Sequence, residues 1–180
     1  RETDPTRLLV YEEDREAESV DIYASMYTKH ADLERLGKQT ELPGPHLLIE
    51  YAHTMGNAPG NLAEYWEIID RYPRLQGGFI WEWIAHGIRW RDEGGGAYFR
   101  YGGDFGDYPN SGKFCTSGIL SPDRVPYPGL WQLKKAYEPV RLTVDFAATP
   151  APCATGTTLS PWTPSPSTPR WRGRDSRWTV

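Results

Sequence analysis

The sequence predicts an α/β fold in which parallel strands alternate with helices. Two observations indicate this class: short apolar runs that end in a polar or aromatic residue recur four times, and segments with helical spacing lie between them. A continuous apolar run is typical of a parallel strand that is buried on both faces. With 180 residues, the chain is long enough for one domain with a sizeable core.

The predicted strands are residues 8–11, 20–26, 46–49 and 77–81. A helix is expected at residues 29–39, and a second at residues 59–72, whose five apolar side chains recur three or four residues apart. Pro59 suits the first turn of this second helix, and Pro73 ends it. A third helix is predicted at residues 127–137.

Residues 87–126 form a long glycine-rich stretch with little regular period. Loops of this length in a compact domain are usually functional or disordered. The aromatic and aspartate content around residues 101–108 favours an ordered functional loop.

Glu50 is the first candidate for chemistry. It ends the apolar run Leu47-Leu48-Ile49, and a charge that is buried without a partner costs free energy. In a barrel of alternating strands and helices, polar residues at the carboxyl ends of strands perform the chemistry. The alternative interpretation is a structural carboxylate, paired with a cation at the end of a strand.

Composition restricts the possible partners. Eight Trp and eleven Tyr are many for this length, and aromatic loops suit a sugar, whose C–H faces stack on rings. A formal net charge of −4 argues against a nucleic-acid partner. Cys115 and Cys153 lack metal-ligand spacing. No membrane span or signal peptide is visible, and we expect a cytoplasmic location.

Three regions are predicted along the chain. Residues 1–140 form the α/β domain, and residues 141–147 begin a linker or a further β domain. Residues 148–180 are rich in Pro, Thr and Arg and contain no Glu or Lys. Two interpretations of this tail stay open, a disordered linker and a frameshifted reading of the gene.

Several blocks of the sequence closely resemble glycoside hydrolase family 2 β-galactosidase. They are Ile49-Glu50-Tyr51-Ala52-His53 with Met55-Gly56-Asn57, Tyr72 to Trp81, Tyr101 to Asp107, Pro109-Asn110 and Phe114-Cys115. The resemblance covers residues 1–144. It implies the C-terminal half of a (β/α)8 TIM barrel, strands five to eight. It also implies retaining hydrolysis of terminal β-D-galactose residues from lactose-like β-galactosides, by two carboxylates about 5 Å apart.

The resemblance assigns roles to four residues. Glu50 matches the nucleophile, which forms a covalent glycosyl-enzyme intermediate. Tyr27 matches the tyrosine that donates a hydrogen bond to the nucleophile. His53 matches a histidine that binds sugar hydroxyls, and Trp81 matches the ring on which galactose stacks. Without the family, His53 would be interpreted as structural, and Trp81 as core about as often as a stacking platform.

The resemblance also implies magnesium and sodium. Asn110 falls in the magnesium region, and Phe114 matches a residue whose backbone carbonyl binds sodium. Ser117 stands where the family commonly has Asn or Asp, which weakens the sodium assignment. Ala85-His86 replaces a frequent Asp-Gln pair, so a contact on the substrate side is in doubt.

The Gly-Asn-Glu block that carries the family's acid/base is absent from this sequence, and so are the principal magnesium ligands. We expect them upstream of Arg1. Glu12 and Glu13 follow another strand but are expected on the rim rather than as substitutes. The chain alone is therefore predicted to be inactive. The alternatives are a non-catalytic carbohydrate-binding fragment and an inactive remnant of a broken gene. The full-length enzyme is expected to be a homo-oligomer.

Overall fold

The computed structural model describes residues 4–144 and 157–161. The strands are β1 (Tyr23–Met26), β2 (His46–Tyr51), β3 (Leu75–Ile80), β4 (Ile88–Arg91), β5 (Ala97–Arg100), β6 (Val140–Val144) and β7 (Thr157–Pro161). The helices are α1 (His30–Gly37), α2 (Leu62–Arg71) and α3 (Gly129–Ala136), and Gly112–Thr116 forms a 3-10 helix. In the described part of the chain, no helix is long and apolar enough to cross a membrane.

A parallel sheet with the order β1-β2-β3 forms the centre of the molecule. The pairing of β1 with β2 shifts register between Ser25 and Met26, and the pairing of β2 with β3 shifts between His46 and Leu48 and again between Leu48 and Tyr51. The first and the last of these shifts lie toward the carboxyl ends of the strands. The helices α1 and α2 connect consecutive strands, so the predicted class of alternating parallel strands and helices is confirmed.

The hydrophobic core lies between the sheet and the three helices. Its buried members are Leu33 of α1, Leu48 and Tyr51 of β2, Leu62, Ile68 and Ile69 of α2, Leu75 of β3, Ile119, and Leu133 of α3. Burying one such leucine contributes about 1.5–3 kcal/mol. Tyr51 is fully buried, and its hydroxyl satisfies its hydrogen bonding with the Tyr137 hydroxyl at 2.8 Å and the Trp66 indole N–H at 3.2 Å. This polar group therefore links β2 to α2 and to the end of α3.

The first predicted strand, residues 8–11, is not a strand in the structure. Val10 makes one isolated parallel bridge with Ile22, and the carbonyl of Leu9 accepts the N–H groups of Asp21 and Ile22. Leu8 and Val10 are both exposed. Because these apolar side chains stay exposed in the described part of the chain, the segment gains little free energy from burial.

Residues 87–126 contain structure that periodicity did not indicate. The strands β4 and β5 pair as an antiparallel hairpin, with Trp90 opposite Tyr98. The connecting turn is closed by the Asp92 carboxylate, which accepts the N–H of Gly96 at 2.7 Å. Each strand has only four residues, which is too short for an alternation to be distinguished from a loop.

At the end of the described chain, β6 pairs antiparallel with β7. The position of β6 agrees with the strand expected after residue 140. Residues 157–161, within the predicted tail, form β7, for which β6 supplies the backbone partners. Residues 145–156 and 162–180 lie outside the described residues, so the disordered and frameshifted interpretations of the tail stay predictions.

His46, at the start of β2, gives the fold a pH dependence. Its Nε2 lies 2.8 Å from the Ser25 hydroxyl, and the side chain is buried. Burial, with a smaller contribution from the charge of Arg74, lowers the pKa of His46 from 6.5 to about 4. Between these values the unfolded chain binds the proton and the folded chain does not. The stability from the neutral imidazole is therefore complete above about pH 6.5 and is lost as the pH falls toward 4.

We expect this loss to amount to roughly 3 kcal/mol in the free energy of unfolding. Urea unfolding at pH 7 and at pH 4.5 measures it in the wild-type chain and in His46→Leu, whose apolar side chain cannot bind a proton. The variant should lose less stability between the two pH values, because the carboxylates titrate alike in both proteins. Equal losses in both would contradict the assignment to His46.

Candidate active site

The candidate active site lies at the carboxyl edge of the parallel sheet. Glu50 is the penultimate residue of β2, and Tyr27 directly follows β1. The Tyr27 hydroxyl donates a hydrogen bond to Glu50 Oε2 at 2.7 Å, and the Tyr27 backbone N–H donates to the Glu50 carbonyl at 2.8 Å. The structure therefore brings together the two residues to which the resemblance assigns the roles of nucleophile and hydrogen-bond donor.

The backbone and the electrostatics at Tyr27 both favour this contact. Its φ of 49° lies in the left-handed region, which costs a non-glycine residue free energy and is found at functional sites. Burial, the hydrogen bond to Glu50, and the negative charges of Glu50 and Glu82 raise the pKa of Tyr27. The phenol thus stays protonated near neutral pH and can donate its proton in a hydrogen bond to the Glu50 carboxylate.

Aromatic side chains line the same edge. The ring of His53, two residues after β2, lies 5.9 Å from the Tyr27 ring and 6.3 Å from the Phe114 ring, measured between centroids. Trp81 directly follows β3 and is partly exposed. His53 and Trp81, both predicted to bind the sugar, thus follow neighbouring parallel strands at their carboxyl ends.

Thr54 joins the segments that carry these two residues, and sequence reasoning did not single it out. Its backbone N–H donates to the Trp81 carbonyl at 2.8 Å, and its hydroxyl accepts the N–H of Glu82 at 3.0 Å. Thr54 is buried. A threonine after a histidine carries no pattern of its own, so only the tertiary contact reveals this role.

Glu82 is a second charged residue that the sequence analysis did not assign. Its Oε1 accepts a hydrogen bond from the Ser117 hydroxyl at 3.0 Å, and its Oε2 lies 3.0 Å from His86 Nε2. Like Glu50, it is a carboxylate at the carboxyl end of a predicted strand, and the same rule of position could have indicated it.

The residues expected near magnesium do not form a magnesium site by themselves. Asn110 donates from Nδ2 to the Asp107 carbonyl at 2.8 Å, and its Oδ1 accepts the N–H of Gly112 at 3.0 Å, so the amide is engaged within its own loop. Among the described residues, no group of three or more His, Cys, Asp or Glu side chains could hold a metal ion. The magnesium assignment stays a prediction.

The residues expected near sodium fit the chemistry of that ion. The Ser117 hydroxyl lies 3.4 Å from the Phe114 carbonyl and 3.0 Å from Glu82 Oε1. These three neutral or anionic oxygens are the kind of donor that hard cations take. Serine has a shorter side chain than the Asn or Asp that the family commonly has at this position. In this chain the Glu82 carboxylate lies beside the serine and adds an oxygen.

Comparison with known proteins identifies the family of this chain. Residues 1–142 match the family described as glycosyl hydrolases family 2, TIM barrel domain. The β-galactosidase of Priestia megaterium is 45% identical over 146 residues, which are 79% of this chain and 14% of that protein. The β-galactosidase of Pectobacterium atrosepticum is 41% identical over 150 residues, 77% of this chain and 14% of its own.

The β-galactosidase of Aeromonas hydrophila is 40% identical over 156 residues, 80% of this chain and 15% of its own. The chain thus spans only 14–15% of the length of these curated relatives. The family match includes the whole parallel sheet and the edge that carries Glu50 and Tyr27. The resemblance found in the sequence is confirmed, and the chain belongs to glycosyl hydrolase family 2 as part of its TIM-barrel domain.

Proposed function

We propose that this chain carries the nucleophile half of a retaining β-galactosidase site, in which Glu50 attacks the anomeric carbon of a terminal β-D-galactose residue. The observation that carries the proposal is the hydrogen bond from Tyr27 to Glu50 at the carboxyl edge of the parallel sheet. The printed names of the relatives, all β-galactosidases, support galactose as the sugar.

In the proposed first step, a Glu50 oxygen forms a bond to the anomeric carbon, and the bond from that carbon to the leaving oxygen breaks. The electron pair leaves with that oxygen, which takes a proton from a general acid. Tyr27 engages Oε2, which orients the carboxylate and leaves Oε1 for the attack. Water then hydrolyses the galactosyl ester in a second step that restores Glu50.

Trp81 and His53 are proposed to hold the same sugar ring, Trp81 from its face and His53 from its edge. The apolar face of galactose stacks on an indole, while imidazole nitrogens bond hydroxyl groups. The packing of His53 between the rings of Tyr27 and Phe114 supports this role because it restricts the imidazole at the site.

Trp81→Ala is expected to weaken the affinity for a galactoside about tenfold or more, because stacking is worth roughly 0.5–1.5 kcal/mol beyond burial. Isothermal titration with a non-hydrolysable thiogalactoside measures the affinity. Trp90→Ala is the matched control, since Trp90 is 43% exposed and Trp81 is 38% exposed, and Trp90 lies on the β4–β5 hairpin. Unchanged affinity in a folded Trp81→Ala chain would show that Trp81 is core rather than a platform.

The general acid is proposed to lie in a part of the enzyme beyond these 180 residues. Both Glu82 oxygens are engaged by Ser117 and His86, and Glu13 accepts the hydroxyl of exposed Tyr11. Neither is placed as a free proton donor. The principal magnesium ligands are proposed to lie outside these residues as well. Phe114 and Ser117 would hold sodium, whose charge would attract a sugar hydroxyl. The cytoplasmic location and the homo-oligomeric full-length enzyme stay predictions.

An activated reagent tests the nucleophile without the acid. In 2,4-dinitrophenyl 2-deoxy-2-fluoro-β-D-galactoside the leaving phenolate needs no proton, and the fluorine slows hydrolysis of the intermediate. We expect one dinitrophenolate per chain and one fluorogalactosyl group on the peptide that contains Glu50, found by mass spectrometry. The corresponding glucoside is the control for the sugar. Thiogalactoside binding without labelling would favour a non-catalytic binding fragment. The absence of both binding and labelling would favour an inactive remnant.

A further inference from the structure

Two segments at the carboxyl edge of the sheet, residues 81–86 and 114–120, are joined along what we term the seam. Four backbone hydrogen bonds cross it: Ile119 to Glu82, Leu120 to Trp83, Ala85 to Leu120 and His86 to Cys115, at 2.8–3.0 Å. At Gly118 the segments approach so closely that a Cβ would collide with the backbone nitrogen of Ala85. The seam therefore fixes the two segments against each other.

Glu82 brings a carboxylate into this seam, and both its oxygens are used there. The Ser117 hydroxyl donates to Oε1, and His86 Nε2 contacts Oε2, both at 3.0 Å. The Glu82 side chain is only 19% exposed, and Ser117 is fully buried. A carboxylate this far from water requires such partners, and two opposed partners also fix its orientation.

The seam carries an aromatic side chain of the candidate site on each of its segments. Trp81 directly precedes Glu82, and Phe114 lies three residues before Ser117. The Ser117 hydroxyl is also 3.4 Å from the Phe114 carbonyl, and the exposed Phe114 ring packs against His53. The bond from Ser117 to Glu82 thus connects the segment of Trp81 to the turn of Phe114.

We infer that Glu82 is a positioning residue, whose hydrogen bond from Ser117 sets the position of the Phe114 ring relative to Trp81 at the sugar site. Ser117 and His86, two positions at which the sequence departs from its family, both contact this one carboxylate. They act as a unit because each holds one of its oxygens. The role at the sugar rests on the proposed function, whereas the position of Phe114 is a property of the chain without ligand.

The first test reads the position of Phe114 directly. The chain is labelled with 4-fluorophenylalanine, and Phe114→Leu assigns the ¹⁹F resonance. Ser117→Ala and Glu82→Ala should each shift or broaden that resonance, and the double variant should add nothing further. Glu82→Gln should restore it, because the amide oxygen still accepts the Ser117 hydroxyl. Thr116→Ala is the matched control: its hydroxyl belongs to the same turn but donates to the Lys113 carbonyl.

The second test measures sugar binding with the activated fluorogalactoside. Ser117→Ala and Glu82→Ala should raise its inhibition constant about tenfold, since hydrogen bonds to charged groups are the stronger ones. Their effect on the rate constant of labelling at saturation should be smaller than their effect on the inhibition constant. Thr116→Ala and Glu82→Gln should resemble the wild type. A general loss of structure would instead lower the labelled fraction and the far-UV circular dichroism together.

The inference is overturned if the Phe114 resonance is the same in Ser117→Ala, Glu82→Ala and the wild type, or if Thr116→Ala moves it equally. If the wild type is not labelled while the resonances respond as expected, the proposed function fails and the positioning by Glu82 stands. Should Ser117→Ala lose its fold, the comparison of Glu82→Gln with Glu82→Ala decides the same question without altering the buried serine.

Discussion

Glu50→Gln is expected to abolish covalent labelling by the activated fluorogalactoside and to leave galactoside affinity almost unchanged. An amide oxygen is a poor nucleophile, so no bond to the anomeric carbon forms. Glutamine has nearly the volume of glutamate and still accepts the Tyr27 hydroxyl bond that Glu50 Oε2 accepts at 2.7 Å. The change should therefore remove the chemistry without disturbing the site.

Mass spectrometry of the labelled chain and titration with a thiogalactoside measure the two parts of this prediction. Glu12→Gln and Glu13→Gln are the matched controls and should label like the wild type. If labelling persisted in Glu50→Gln and disappeared in one of the controls, the nucleophile would be Glu12 or Glu13 rather than Glu50. A parallel loss of labelling and of affinity would make Glu50 a structural carboxylate.

The second large effect concerns substrates with poor leaving groups. The 180-residue chain alone is expected to release no measurable galactose from lactose, while it reacts with dinitrophenyl β-galactoside. A sugar alkoxide leaves only with a proton from a general acid, whose contribution is typically about 10²–10⁴-fold. In the described chain the Glu82 carboxylate beside the site is held by Ser117 and His86.

Azide makes this prediction specific to proton transfer. As a small anion it needs no general base to attack the galactosyl ester of Glu50, so it should accelerate turnover of dinitrophenyl β-galactoside and give β-galactosyl azide. Chromatography of the products and a coupled galactose assay follow both reactions. Hydrolysis of lactose that disappears in Glu82→Gln, Glu12→Gln or Glu13→Gln would show that the chain contains its own acid.

Much of the fold could be predicted because its elements depend on local spacing. The helical stripe of residues 59–72 and the apolar run before Glu50 both became elements of the α/β domain, with ends displaced by a few residues. The run at residues 8–11 is apolar as well, yet it makes only one bridge. Whether an apolar run pairs as a strand depends on neighbours that its own sequence does not contain.

Apart from Glu50, which its position at the end of an apolar run also indicates, the candidate site could be predicted only where the resemblance reaches. The resemblance indicated Glu50, Tyr27, His53 and Trp81 together, and the structure places all four at the carboxyl ends of neighbouring strands or just after them. It gave no role to Glu82, because its partner Ser117 lies 35 residues further along the chain. Such a contact has no periodicity, so it emerges only when the two segments of the seam are folded against each other.

The register shift between Leu48 and Tyr51 of β2 determines the direction in which the side chain of Glu50 points. In a regular strand, Leu48 and Glu50 would project from the same face because side chains alternate. Here Leu48 and Tyr51 both enter the core between sheet and helices, and the irregular pairing between them supplies the extra residue of a β-bulge. Glu50 is thereby turned away from the apolar interior and toward Tyr27. The β-bulge thus places the Glu50 carboxylate at the carboxyl edge of the sheet, where the candidate site lies.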